Sequence, residues 1–185
     1  MLRIMAESKA AVFIDNQHLK KQLIDKLGEG LHKFLLDYEA LSKLLCEDVG
    51  VEMFRTYIYD CEMQSNERLL SKLNQISGFE VKKGTIQHNE RGYRQKQVDI
   101  LLALDMIKMS LRNRIEEIIL ITGDADFVPV VQFVKEQSVK VHLRTGFTYS
   151  RELANACDSA KEIDESFILE YGSNWRNRSK RKFLR

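Results

Sequence analysis

Carboxylate side chains follow two predicted strands at the points where those strands end. Residues 118–121 are four large aliphatics that lead to Asp124 and Asp126, and residues 10–14 lead directly to Asp15. The carboxyl ends of parallel strands lie at one edge of a sheet, where open α/β domains bind ligands, so we expect these three aspartates to lie close together. Alternatively, one aspartate could serve only as the cap of the helix that follows.

A fourth carboxylate, Asp99, falls in the first turn of a predicted helix at 98–109. Its end of the helix can open toward the same edge of the sheet, where a negative charge also suits the helix dipole. Asp105 lies six residues further on, about 120° around the helix. We therefore expect Asp99 to join the acidic cluster and Asp105 to cap or pair structurally.

These carboxylates predict a divalent metal site. Carboxylates brought within a few ångströms repel one another, and a cation relieves that repulsion. Oxygen ligands without a Cys or His cluster favour Mg²⁺ or Mn²⁺ over zinc. One or two such ions activate water and stabilise the charge that develops in phosphodiester hydrolysis.

Strands and helices alternate along the whole chain, which predicts a three-layer α/β domain with a mostly parallel central sheet. The lone proline, Pro129, fits a helix only within its first turn, so a helix should start near Asp126. The predicted strands are residues 10–14, 51–59, 79–87, 118–121 and 139–144, and the predicted helices are residues 16–27, 37–47, 62–76, 98–109, 126–137 and 150–160. The helix at 98–109 is apolar nearly all round, as expected for a helix packed into the body.

Two segments are rich in cations. Residues 88–97 form a polar predicted loop in which Arg91, Arg94 and Lys96 surround Tyr93, a mixture that suits a nucleic-acid backbone and an unstacked base. A charged connection between elements is the alternative. The tail at 171–185 holds six Lys or Arg and no acid; because the chain carries +2 overall, the first 170 residues carry −4. The tail suits phosphate contacts, or it is a solvated terminus.

Length and composition indicate one domain, at 8–170, followed by the basic tail at 171–185. No apolar run is long enough to cross a membrane, and the first residues lack a secretory signal. The three cysteines, Cys46, Cys61 and Cys157, are odd in number and contain no C-x-x-C pair, which argues against a disulfide framework and a zinc site. We expect reduced core thiols and a cytoplasmic protein.

Four segments resemble the NYN domain family, and within it the LabA-like group, of the PIN-like nuclease superfamily. They are "VFIDNQHL" at 12–19, "KQVDILLALDM" at 96–106, "LITGDADFVPVV" at 120–131 and "SRELANACD" at 150–158. Two positions differ from the family motifs. His18 stands where the family has Asn, and Gln97 stands where it has Gly.

The resemblance implies a sheet of PIN-like order 3-2-1-4-5, a requirement for Mg²⁺ or Mn²⁺, and ribonuclease or RNA-processing activity. We favour endonucleolytic cleavage, although the sequence itself does not distinguish it from exonucleolytic cleavage. The metal-binding and catalytic residues it implies are Asp15, Asp99, Asp124 and Asp126. We assign substrate contacts to Asn16, His18, Thr122, Arg91, Arg94 and Lys96. His18 could instead be an ordinary histidine on a helix surface.

Phosphatases and nucleotide-binding proteins fit the sequence less well. A phosphatase of the haloacid dehalogenase type needs acids where this chain has Gln17 and Val128, and neither G-x-G-x-x-G nor a P-loop is present. A PIN-like RNA-binding or scaffold module without turnover remains the serious alternative. The sequence leaves the oligomeric state open and is compatible with a homodimer.

Overall fold

The computed structural model describes residues 8–27, 36–61, 66–89, 92–146 and 148–163. Arg91 and the basic tail at 171–185 lie outside the described residues, as do the last residues of the predicted domain. Within the described ranges, no helix is both long and apolar enough to cross a membrane.

Helices and strands alternate along the described chain as the sequence predicts. The strands are β1 Lys9–Asp15, β2 Glu52–Cys61, β3 Phe79–Asn89, β4 Gly92–Lys96, β5 Glu117–Ile121, β6 Lys140–Thr145 and β7 Ser159–Glu162. The helices are α1 Asn16–Leu27, α2 Tyr38–Val49, α3 Glu67–Leu73, α4 Val98–Ser110, α5 Val128–Glu136 and α6 Arg151–Ala156. Pro129 lies in the first turn of α5, as predicted.

The strands form one sheet in the order β4-β3-β2-β1-β5-β6-β7. All neighbours are parallel except β3 and β4, which pair antiparallel. When the parallel strands alone are numbered in chain order, the order is 3-2-1-4-5-6, so the predicted 3-2-1-4-5 arrangement is present with one more strand at its edge. The fold class predicted from the sequence is confirmed.

Alternate side chains of the central strands face two separate cores, which makes the domain three-layered. Ala11 and Phe13 of β1 pack with α4, α5 and α6, whereas Val12 and Ile14 pack with α1 and α2 on the opposite face. Strand β5 is buried on both faces, as a continuous aliphatic run predicts. Cys46, Cys61 and Cys157 are all buried and free, as expected.

Three sequence predictions need correction. Of residues 88–97, predicted as a loop, residues 88–89 end β3 and residues 92–96 form β4, and the two strands pair antiparallel. Helix α6 ends at Ala156, and residues 159–162 form β7 beside β6. Asp158 explains that change: its carboxylate accepts the backbone N–H of Val141 at 2.8 Å, which draws the chain back onto the sheet. Helix α4 is packed into the body on only one of its faces.

Candidate active site

Asp15 ends β1, and neighbours on both sides hold its carboxylate. Its Oδ1 accepts the backbone N–H of His18 at 3.1 Å, and its Oδ2 accepts the hydroxyl of Thr122 at 3.3 Å. Ile14 of β1 lies beside Ile121 of β5, which places Asp15 level with Thr122. Asp15 thus caps α1, and burial raises its pKa despite these hydrogen bonds.

Asp124 and Asp126 lie where β5 passes into α5, and both residues are exposed. The Oδ1 of Asp124 accepts the backbone N–H of Asp126 at 2.9 Å, which caps the short 3₁₀ turn at 125–127. Asp124 therefore fills the capping role that the sequence left open for one aspartate. Thr122 is fully buried and links the two strand ends, because its hydroxyl also lies 3.5 Å from the backbone N of Asp124.

Asp99 lies in the first turn of α4, and its carboxylate interacts electrostatically with the acids that follow β1 and β5. Partial burial raises its pKa, and the negative charges of Asp15, Asp124 and Asp126 raise it further. The structure therefore brings all four predicted acids into one electrostatic cluster at the carboxyl edge of the sheet. We call Asp15, Asp99, Asp124 and Asp126 the acidic cluster.

Asp105 lies apart from this cluster. Its Oδ2 accepts the hydroxyl of Tyr59 at 3.0 Å, and its Oδ1 lies 3.7 Å from Nζ of Lys108. These contacts join α4 to β2 and to its own next turn. The structural role expected for Asp105 from helix geometry is confirmed.

The acidic cluster fits a divalent cation in the chemistry of its donors. They are all carboxylate oxygens, and a cation would offset the like charges that raise the pKa of Asp99. Across the described ranges, no three Asp, Glu, His or Cys side chains are arranged as a ready metal-binding group. Metal binding therefore requires side-chain adjustment, which the exposed carboxylates permit.

Replacing Asp99 by Asn should raise the melting temperature at pH 7 in a chelating buffer. The folded state raises the pKa of Asp99 above its unfolded value, so ionisation of this carboxyl lowers stability as the pH rises through the folded pKa. Asn removes that cost with little change in shape. The gain should vanish at a pH low enough to protonate the carboxyl in both states, and calorimetric scans across this range measure it. A gain that persists at low pH would contradict the electrostatic explanation.

Gln97, the residue before α4, has a left-handed backbone with φ of 76°. Side chains with a Cβ adopt this region at a cost, whereas glycine does not. This explains why the similar family motif has Gly here. The hydroxyl of Thr85 donates to Oε1 of Gln97 at 3.2 Å, an exposed contact that offsets part of the cost.

We expect Gln97→Gly to stabilise the protein by about 0.5–1 kcal/mol, because the gain from relieving the left-handed conformation exceeds the entropy that glycine adds to the unfolded chain. Urea unfolding measures the change. Gln97→Ala is the control: it also loses the Thr85 contact but keeps the Cβ, and it should not stabilise. Equal stability of the Gly and Ala variants would contradict this explanation.

His18 lies in the first turn of α1, and its side chain faces the end of β6 and the loop that follows β5. Its Nε2 is 3.2 Å from Oγ1 of Thr145, and its ring lies directly against Gly123, the residue before Asp124. Burial and the charge of Lys21 lower its pKa, while the charge of Asp124 opposes them. His18 is therefore a half-buried contact beside the acidic cluster, and not an ordinary surface histidine.

A buried acid that the sequence analysis missed lies behind Asp15. Asp60 of β2 is 1% exposed, and its Oδ2 accepts the Nδ2 of Asn16 at 2.7 Å and the Nζ of Lys20 at 2.7 Å. The charge of Asp60 contributes to the raised pKa of Asp15. The sequence contained a signal for this acid, because Asp60 directly follows the β-rich segment at 51–59 as Asp15 follows residues 10–14. In the structure β2 extends to Cys61, so Asp60 lies within the strand.

The Asp60 contacts define the placement of two neighbours. Asn16, assigned to the substrate from the sequence, is fully buried, with its Nδ2 on Asp60 and its Oδ1 accepting the hydroxyl of Tyr38 at 2.5 Å. Its amide therefore joins α1 to β2 and α2. Lys20 keeps 35% of its side chain exposed, so a cation is held on buried Asp60 and is partly open to solvent.

Two of the three basic residues assigned to RNA contacts lie on the edge strand β4. Arg94 and Lys96 belong to β4, where Lys96 pairs with Thr85 of β3 and leads through Gln97 into α4. Arg91 lies outside the described residues. The backbone of β4 thus connects directly to the helix that carries Asp99.

The NYN domain family model matches residues 9–164 of this chain. An uncharacterized protein of Methanocaldococcus jannaschii is 27% identical over 172 residues, and the match covers 91% of this chain but 65% of that protein. The crystal structure of a protein of unknown function from Vibrio parahaemolyticus superposes with a TM-score of 0.71 at 20% identity, covering 90% of this chain and 99% of that one. That structural likeness supports the fold alone.

Proposed function

The chain belongs to the NYN domain family of the PIN-like nuclease superfamily, and we propose that it is a ribonuclease that uses Mg²⁺ or Mn²⁺ to hydrolyse phosphodiester bonds. The observation that carries this proposal is the acidic cluster, in which the charges of three carboxylates raise the pKa of the fourth. A bound cation would relieve such repulsion. The LabA-like group and the endonucleolytic mode rest on the motif at 120–131 and on the family resemblance.

In this proposal, Asp15, Asp99, Asp124 and Asp126 hold the ion. When bound, a divalent ion supplies an activated water and neutralises charge on the phosphate. Thr122 orients Asp15 through its hydroxyl, so the two strand ends keep a fixed relation. His18 supports the backbone at Gly123 that presents Asp124.

An acidic cluster repels phosphates, so substrate binding needs cations at its rim. Lys20 is a candidate, because its ion pair with buried Asp60 holds its Nζ in place and part of its side chain remains exposed. We propose that Lys20 contacts RNA phosphates together with Arg91, Arg94 and Lys96.

The buried free thiols support a reducing, cytoplasmic location.

The test is a cleavage assay on one single-stranded and one structured RNA, in chelator, in Mg²⁺ and in Mn²⁺. We expect products only with a divalent ion, and internal cuts in a circular RNA if the mode is endonucleolytic. The absence of cleavage in every metal, at enzyme concentrations that saturate RNA binding, would contradict the proposal.

One observation favours a second candidate, an RNA-binding module without turnover. His18 replaces the Asn of the similar family motif and is engaged with Thr145 and Gly123. An RNA-binding module would bind RNA in chelator and in metal alike and would leave the RNA intact. The same assay, run beside a binding measurement, separates the two functions.

A further inference from the structure

Helix α4 and the residue that caps its carboxyl end, Leu111, carry a row of apolar side chains on the outer face of the helix. Ile100 is 63% exposed, Leu104 45% and Leu111 56%, and Ile107 between them is partly exposed. Their spacing of four, three and four residues places them along one face of the helix. We call these four residues the α4 stripe.

The opposite face of α4 already has its partners. Val98, Leu102, Met106 and Met109 are buried in the core beneath the sheet. The stripe is therefore not needed to pack α4 against the sheet. Among the described residues, three of the four exposed large hydrophobic side chains belong to it. A clustered apolar patch of this kind marks an interaction site.

Charges differ between the two ends of the stripe. The acidic cluster surrounds Asp99 at the amino end of α4. Lys108, Arg112 and Arg114 are exposed at the carboxyl end, and Arg112 forms no ion pair with any residue in the described ranges. A helix with one acidic end and one basic end complements a reversed copy of itself. The charge pattern therefore favours a second copy of this chain as the occupant.

We propose that α4 packs antiparallel against α4 of a second copy, across a twofold axis near the middle of the stripe. Such an isologous contact places residue i opposite residue j and j opposite i. With the axis centred between Asp105 and Met106, Ile100 faces Leu111 of the partner subunit, and Leu104 faces Ile107 of the partner subunit. The acidic amino end of each helix then lies alongside the basic carboxyl end of its partner.

The expected dimer is weak. The stripe runs for about 16 Å along the helix, at 1.5 Å per residue. A stable interface buries about 800 Å² on each partner, which is more than four side chains supply. We therefore expect a concentration-dependent equilibrium with a dissociation constant on the order of micromolar to tens of micromolar.

Sedimentation equilibrium of the full chain, from about 1 to 200 μM, tests the pairing by bracketing the expected constant. Wild type should show a monomer–dimer equilibrium, and Leu104→Glu should remain monomeric. Tyr149→Glu is the control, since Tyr149 is exposed and apolar but outside the stripe, and it should dimerise like wild type. A monomeric wild type, or a dimer that Leu104→Glu leaves unchanged, would overturn the proposal. A larger assembly would do the same.

Discussion

Replacing Asp124 by Asn should lower Mn²⁺-dependent RNA cleavage by at least about a hundredfold, because a metal-binding carboxylate contributes several kcal/mol to stabilising the transition state. The fold should survive. Oδ1 of Asp124 caps the backbone N–H of Asp126 at 2.9 Å, and an Asn side chain can accept the same hydrogen bond. Initial cleavage rates at saturating metal measure the loss, and circular dichroism verifies the fold.

Asp105→Asn is the matched control for this loss. Asp105 is also an aspartate near the acidic cluster in sequence, but it bonds to Tyr59 and Lys108 instead of joining the cluster. Its substitution should change the cleavage rate by less than about threefold, which is under 1 kcal/mol. Equal losses in the two variants would show that general destabilisation, and not the acidic cluster, controls activity.

The second large effect is expected at Gly123, which lies between strand β5 and Asp124. A Cβ at this position would lie 2.8 Å from the carbonyl oxygen of Thr148 and 2.8 Å from Nε2 of His18, and closer still to Cε1 of that ring. The Thr148 backbone cannot easily yield. Gln22 bonds to it on both its N–H and its carbonyl, and the N–H of Ser150 donates to the carbonyl of Gly123 at 2.9 Å.

Gly123→Ala should therefore destabilise the protein by about 1–3 kcal/mol and displace Asp124. Chemical denaturation measures the stability, and cleavage assays measure the consequence at the site. His18→Ala removes one obstacle but leaves Thr148, so the double variant should recover part of the loss and show a coupling of about 0.5–2 kcal/mol. Strict additivity of the two substitutions would mean that His18 does not press on Gly123.

The sequence predicts this fold well because its strongest signals are local. The aliphatic run at 118–121 forms a fully buried strand, and the lone Pro129 places the start of α5. Residues 159 and 160, the first half of β7, were predicted as the end of a helix at 150–160 because their pattern continues that of α6. A tertiary contact, the carboxylate of Asp158 on the backbone N–H of Val141, decides that segment instead.

The acidic cluster could be anticipated because parallel strands bring their ends to one edge. The contacts behind it could not, since they depend on register. Asp15 lies beside Tyr59 across β1 and β2, which places Asp60 one residue beyond it and within reach of Lys20 and Asn16. No local pattern assigns Lys20 to that carboxylate. The outward face of α4 was missed for a related reason: a helix that is apolar all round carries no sign of which face lacks a partner.

Binding of Mn²⁺, followed by the electron paramagnetic resonance of the free ion, tests the central claim most directly because it requires neither RNA nor turnover. Wild type should bind one or two ions. The affinity should fall at least about tenfold, or 1.4 kcal/mol, in Asp99→Asn and in Asp124→Asn, and it should be unchanged in Asp105→Asn. Absence of binding by wild type, or equal affinity in all four proteins, would contradict the assignment of the acidic cluster as a metal site.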